Sequence, residues 1–431
     1  MKYTNIKSSN VEWLGDIPSH WEIKRGKNCL TLLSRSVLDD DDIITCFRDG
    51  EVTLRKNRRE EGFTNALLEI GYQGVNAGDL VVHGMDGFAG AIGISDSRGK
   101  ASPVLNVMDS PNCKRFLMYY LRSLANKEVF LSLSTGIRVR SCDLRWNKLA
   151  VLPFILPPLP EQDAIAAYLD DKCGAIDEII EQAKASIEEY KAWKSSVIFE
   201  AVTKGLNPNA EMKDSGVEWI GKVPSNANTV RLRTFISKIE SGVSVNAGQE
   251  PAQSNEIGVL KTSAVSQYIF IPSENKNVNK DEINRVSCPV KKNTLIVSRM
   301  NTPELVGACG YVDSDYKNLF LPDRLWQVHF EKECSVKFMW YYLRSNFVRN
   351  YYASLSTGTS SSMQNISQSQ FSNVLIVNHP INIQEEIADY LDEKCDAIDG
   401  IIAEKEALIA DMEAYKKSLI FETVTGKRKV C

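Results

Sequence analysis

Ile165-Ala166-Ala167-Tyr168-Leu169-Asp170 returns 222 residues later as Ile387-Ala388-Asp389-Tyr390-Leu391-Asp392. The first copy opens a stretch, 161–203, with no proline and a single glycine, Gly174. Leu169, Ile176, Ala183, Tyr190 and Val197 recur every seven residues, and Cys173, Ile180, Ile187, Lys194 and Ala201 form a second series. The second copy gives Leu391, Ile398, Lys405, Met412 and Leu419, with Cys395, Ile402, Ile409, Lys416 and Thr423. These are the two stripes of a sustained heptad. Each predicts a helix of roughly 65 Å at ~1.5 Å per residue. A stripe that long cannot stay solvated, so the two equivalent helices pack on each other. A duplicated chain tends to internal two-fold symmetry, which makes the pair antiparallel. Leu169, Ile176, Ile180, Ile187, Tyr190, Leu391, Ile398, Ile402, Ile409 and Leu419 are the expected packing residues. Lys194, Lys405 and Lys416 interrupt the stripe and are expected to snorkel at its edge.

Working outward, Val11-Glu12-Trp13-Leu14-Gly15 recurs as Val217-Glu218-Trp219-Ile220-Gly221, an offset of 206. Tyr119-Tyr120-Leu121-Arg122-Ser123 recurs as Tyr341-Tyr342-Leu343-Arg344-Ser345, and Ser132-Leu133-Ser134-Thr135-Gly136 as Ser354-Leu355-Ser356-Thr357-Gly358, both at 222. Ile198-Phe199-Glu200 returns as Ile420-Phe421-Glu422. The module is therefore built twice: lobe 1–159, helix 160–205, lobe 206–381, helix 382–431. Apolar runs at 79–83 and 294–298 read as equivalent strands. The predicted class is α+β: two α/β lobes separated by two long antiparallel helices packed as a coiled coil, with a pseudo-two-fold repeat. The ends of each lobe repeat closely and the middles diverge. A shared scaffold carrying two different recognition surfaces has that signature; a drifted duplication is the plainer alternative.

The 431 residues are 43% hydrophobic and 25% charged, an ordinary globular balance. No apolar run approaches the roughly 18 residues of a membrane span, and the first ten residues lack the apolar core of a secretory signal. Ten cysteines without a Cys-x-x-Cys pair read as reduced thiols of a cytoplasmic protein. The net charge of −4 hides an alternation. Residues 1–159 carry +3 and 206–381 carry +3, while 160–205 and 382–431 carry −5 each. Two mildly basic lobes alternate with two acidic helices, and distribution bears on nucleic-acid binding more than the total does.

Within the lobes, basic and amide residues gather in loop-like stretches. The first lobe offers Arg55, Lys56, Arg58 and Arg59, then His83 and Asp86 after the strand, then Arg138 and Arg140 after the shared Ser-Thr-Gly. The second offers Arg299 and Asn301 after the equivalent strand, Arg324, and Gln364 and Asn365 in a hydroxyl- and amide-rich run. Arg and Lys neutralise phosphates; Arg pairs with guanine edges, Asn and Gln with adenine.

Catalytic constellations are missing from the sequence. His20, His83, His329 and His379 have no metal-ligand spacing. The run from Gly93 to Lys100 has one residue too many for a phosphate loop, and Ala101 stands where Ser or Thr is needed. Neither a Gly-x-Ser-x-Gly elbow nor the Asn/Asp-Pro-Pro-aromatic signature of adenine methyltransferases is present.

The openers Val-Glu-Trp-Leu/Ile-Gly-x-x-Pro, the Ser-x-Ser-Thr-Gly near each lobe's end, and Pro158-Leu159-Pro160-Glu161-Gln162 before Ile165 carry a resemblance over essentially the whole chain. It resembles the specificity (S) subunit of type I restriction–modification systems. The second copy departs, with His379-Pro380-Ile381-Asn382-Ile383-Gln384 in place of the prolines and Glu-Gln, which leaves its helix start open. The resemblance implies a non-catalytic subunit whose two target recognition domains each read one half of a bipartite asymmetric site in double-stranded DNA. The helices would act as ruler and dock for two modification subunits, with restriction subunits as further partners. S-adenosylmethionine, and ATP with Mg, would be bound by those partners and not by this chain. A two-lobed protein-interaction scaffold without DNA specificity is the alternative.

Overall fold

The structure, a computed structural model, describes residues 3–58, 69–132, 144–360 and 363–430. It divides into two compact units, Met1–Lys184 with Lys405–Cys431, and Ala185–Glu404. Each unit holds one lobe and a stretch of both long helices, Leu159–Lys204 and Ile381–Val424.

In the first unit, Ile6–Ser8 pairs antiparallel with Asp16–Pro18. Glu22–Arg25 pairs antiparallel with Pro153–Leu156, the strand that leads into the long helix, so both ends of the lobe meet at the helix entrance. The lobe's centre is a four-stranded antiparallel sheet in the order Thr31–Leu32, Leu105–Asp109, Leu80–His83, Ile92–Ile94. Successive residues of a strand face opposite sides. Leu80 and Val82 accordingly join a core with Phe116 and Tyr120 from the helix Lys114–Asn126, while Val81 joins a second core with Ile44 and Val107. Both faces are covered, which is why this strand reads as an unbroken apolar run.

The second unit repeats the frame. Met212–Asp214 pairs with Lys222–Pro224, and Asn228–Arg231 with Leu375–Asn378. The same four-stranded order recurs: Ile236–Ser241, Leu325–Phe330, Thr294–Ser298, Cys309–Val312. Leu295 and Val297 enter one core and Ile296 the other. The lobes diverge in the outer layer. The second has a four-stranded sheet of Asn275–Asn277, Gly258–Leu260, Tyr316–Phe320 and Pro289–Val290, where the first has two separate antiparallel pairs, Ile44–Cys46 with Val52–Leu54 and Gln73–Val75 with Gly99–Ala101.

The long helices run antiparallel in each unit. In the first, Asp177 meets Lys416 and Tyr168 meets Arg428. In the second, Lys194 meets Asp399 at 2.5 Å and His379 meets the Val202 carbonyl at 3.1 Å. Leu169, Ile176, Ile180, Ile187, Leu391, Ile398 and Leu419 are buried; Tyr190, Ile402 and Ile409 are half-buried, Tyr190 beside Trp193. Two expectations change. Ile198 is buried where the heptad placed Val197, which is only half-buried. A straight helix drifts about 20° per heptad, and after several turns the next residue faces inward. Lys194 and Lys416 do more than snorkel: they hold Asp399 and Asp177, residues related by the same 222 offset. Both aspartates are half in water, so each pair contributes at most about 1 kcal/mol.

A repeated polar joint fixes each lobe to its helix. Buried Gln162 accepts from the Cys113 N–H at 3.0 Å and donates to the Pro157 carbonyl at 2.8 Å. Gln384 accepts from the Ser335 N–H at 3.0 Å and donates to the His379 carbonyl at 2.8 Å. The second helix start, open from the sequence, is thus built as the first is. About two turns on, Arg115 and Tyr119 bind Asp170, and Lys337 and Tyr341 bind Asp392.

Eight cysteines among the described residues are free thiols. Burial pushes Cys46, Cys309 and Cys334 each up to about 12, which keeps them unreactive. No described residues form a cluster that could hold a metal, and no described helix is long and apolar enough to cross a membrane.

Candidate nucleic-acid interface

In the first lobe, Ile44–Cys46 and Val52–Leu54 form a hairpin whose connection is Phe47-Arg48-Asp49-Gly50-Glu51. Gly50 has φ +93°, and a side chain there would strike the Arg122 guanidinium and the Ile92 carbonyl, so the turn requires glycine. A 3-10 turn, Arg55–Asn57, follows the hairpin and brings Arg58 back over its connection. The result is a cleft of about 700 Å³ lined by, among others, Phe47, Arg48, Arg55, Arg58, His83 and Asp86. Four of the residues singled out from the sequence, Arg55, Arg58, His83 and Asp86, therefore meet in one place.

Fixed partners hold the cleft's charges. Arg58 bonds Asp49 at 2.7 Å and Glu51 at 3.1 Å, and its guanidinium lies over the Phe47 ring, 4.2 Å from the centroid. Arg48 bonds Asp86 at 2.9 Å. Arg122 donates to the Asp49 carbonyl at 2.6 Å. Arg55 donates to Thr45 Oγ1 at 3.3 Å. His83 Nδ1 accepts the backbone N–H groups of Met85 (3.2 Å) and Asp86 (2.9 Å), so the neutral ring carries its proton on Nε2. Burial, aided by Arg48, holds its pKa below the ordinary 6.5, against an opposing pull from Asp86. Lys56 does not line the cleft; it pairs with Asp42 at 2.5 Å. Arg59, Arg138 and Arg140 lie outside the described residues.

In the second lobe the five candidates converge on a three-stranded ribbon of Met300–Asn301, Met363–Asn365 and Thr357–Ser360. Asn365 stands opposite Met300, and Gln364 opposite Asn301. The Arg299 N–H donates to the Arg324 carbonyl and the Arg299 carbonyl accepts from Ile366, both at 3.1 Å. The Asn301 carboxamide is turned on its own strand, donating to Ser298 Oγ at 3.4 Å and accepting from the Thr302 N–H at 2.9 Å. Arg324 is exposed. Arg299 Nε and Asn365 Oδ1 are buried without a hydrogen-bond partner among the described residues.

Sequence reading missed Phe47, Arg48 and Asp49. The signal was present in Asp49-Gly50, a turn pair between two alternating apolar runs, which marks a hairpin and hence an exposed tip.

Among known proteins, residues 224–409 match the family described as the type I restriction modification DNA specificity domain. The type I restriction enzyme EcoEI specificity subunit of Escherichia coli is 23% identical over 215 residues, 49% of this chain and 36% of that protein. The EcoKI specificity subunit of Escherichia coli K12 is 21% identical over 322 residues, 72% of this chain and 65% of that protein. The matched parts thus span less than two thirds of either relative. In fold, a chain from a type I R-M system studied for complex assembly and conformational transition superposes with a TM-score of 0.69 at 13% identity, covering 95% of this chain and 98% of that one. The HsdS subunit from Thermoanaerobacter tengcongensis gives 0.51 at 14% identity, covering 96% and 98%.

Proposed function

We propose that this chain, whose residues 224–409 match the type I restriction modification DNA specificity domain, is a specificity subunit that chooses the DNA sequence on which partner subunits act. Each lobe reads one half of a bipartite, asymmetric site. The lobes correspond to 1–159 and 206–381 and the helix-bearing segments to 160–205 and 382–431, the second of which is helical to Val424. One observation carries this reading: a frame repeated down to its hydrogen bonds bears two chemically different surfaces, an arginine-lined cleft and an amide-bearing ribbon. One protein scaffold displaying two surfaces suits a site whose halves differ.

The helix pair sets the distance between the half-sites. Linking two weak readers raises affinity only where both can engage at once, which is the physical reason for a stiff connection. The repeated joints at Gln162 and Gln384 serve the same end. The duplicated helices offer equivalent docks for two modification subunits, and restriction subunits complete the assembly. S-adenosylmethionine, and ATP with Mg, bind to those partners; base extrusion and methyl transfer belong to the modification subunits.

A lobe exchange tests this. Replacing residues 20–155 with the equivalent lobe of a relative, and mapping methylated adenines in cells carrying the modification subunits, should change one half-site and leave the other. A site altered in both halves, or DNA binding by the assembly that ignores salt and sequence, would favour the protein-interaction scaffold. Methyl transfer by the chain alone would sink the non-catalytic assignment.

A further inference from the structure

We propose that Arg48 and Arg58 are the base-reading residues of the first lobe and that they read guanines through the major groove. The inference rests on the DNA-recognition function above and adds which residues of the cleft meet bases and which base they select.

An arginine on DNA has two ordinary roles. A phosphate-binding arginine is a mobile cation in an electropositive field, and neighbouring carboxylates weaken it. A base-reading arginine must present its planar fork in one orientation, because the bidentate pair with guanine O6 and N7 is geometric. The cleft has the second arrangement. Arg58 is held by two carboxylates, Asp49 at 2.7 Å and Glu51 at 3.1 Å, and lies over the Phe47 ring. Arg48 is held by Asp86 at 2.9 Å. With its charge already met by carboxylates, each of these two guanidiniums is a poor host for a phosphate. The carboxylates still leave N–H groups free for a neutral acceptor edge, since a guanidinium has five donors. Both arginines also remain reachable, with side chains 60% (Arg48) and 36% (Arg58) exposed.

The bracing is itself positioned. Asp49 is tied by Arg122 through its carbonyl, and the Asp86 N–H by His83 Nδ1. The two guanidiniums thus sit on separate, independently fixed supports at one cleft. Lys56, outside the cleft and a point charge without a planar fork, is the natural phosphate contact nearby.

The test is selection from a randomised duplex library by the full chain assembled with its modification subunits, for the wild type and for Arg58→Lys, Arg58→Ala and Arg48→Ala. The wild-type motif is expected to hold guanine in one half-site. Arg58→Ala and Arg58→Lys should each cost on the order of ten- to a hundredfold discrimination at one guanine and leave every other position, including the second half-site, unchanged. Arg48→Ala should do the same at a different position. The intact second half-site reports that the variants fold and assemble. If Arg58→Lys retains the full motif while Arg58→Ala weakens binding evenly with a shallower salt dependence, Arg58 is a phosphate contact and the proposal is overturned. A wild-type motif lacking guanine in both halves overturns it as well. A wild type that selects no motif overturns the DNA-recognition function on which it stands.

Discussion

The Tyr119 hydroxyl donates to the Asp170 carboxylate at 2.8 Å, tying the helix under the first lobe's sheet to the long helix. Burial and the neighbouring carboxylate both push the Tyr119 pKa far above its usual value, so the phenol stays a donor. Tyr341 and Asp392 repeat the contact at the same 2.8 Å, 222 residues on. Asp170→Ala leaves a largely buried phenol unpaired and frees Arg115. It should cost about 1 to 3 kcal/mol, read by chemical denaturation of the chain. Asp392→Ala should cost a similar amount, because its partners Tyr341 and Lys337 are equivalent.

Gln162 and Gln384 each satisfy two backbone groups in a dry joint. Gln384→Ala would strand the Ser335 N–H and the His379 carbonyl, for a loss of about 1 to 3 kcal/mol. Hydrogen exchange at Ser335 should accelerate well before global unfolding does. Unchanged protection there would show that the joint is not what holds this lobe to its helix.

Legibility from sequence followed the repeat. The helices were readable because their stripe is periodic and their offset constant. The four-stranded sheets were not, beyond one strand each, because the offset grows from 206 to 222 across them and the strands are short. Gln384 escaped because Pro157 and Pro160 have no counterparts beside it, although Pro158 and Gln162 do return at the 222 offset as Pro380 and Gln384. The candidate residues near Arg299 lie far apart in sequence, and only the ribbon register joins them. Arg48 was hidden for a different reason: an arginine between phenylalanine and aspartate looks like any solvated turn until Asp86 is seen to hold it.

Cross-helix charge pairs should matter little individually. Lys194→Ala, which removes the partner of half-exposed Asp399, should cost under about 1 kcal/mol in thermal or chemical denaturation. Lys194→Asp should cost more by opposing two carboxylates, and adding Asp399→Lys should restore most of the loss. A full loss with no rescue would place Lys194 in a different role.

Acid should weaken the first lobe through His83. Its folded pKa lies below the unfolded value near 6.5, so the unfolded chain binds the proton first. The stabilisation is complete above that value, declines as the pH falls below it, and levels off once the folded ring itself protonates. His379, lowered by burial as well, adds the same sign. Urea unfolding between pH 8 and 5 should therefore show a shallower loss in His83→Gln than in the wild type, with part of the slope remaining from His379.

The central claim is that two lobes read two half-sites at a separation set by the helix pair. The most direct measurement is long-read mapping of methylated adenines in cells that carry the chain with its modification subunits. The chain would be compared with a form lengthened by one heptad in each helix, after Ala183 and after Lys405. The account predicts a bipartite asymmetric site for the natural chain, and for the lengthened one the same two halves with a different gap. An unchanged gap, or a single continuous site, would contradict it.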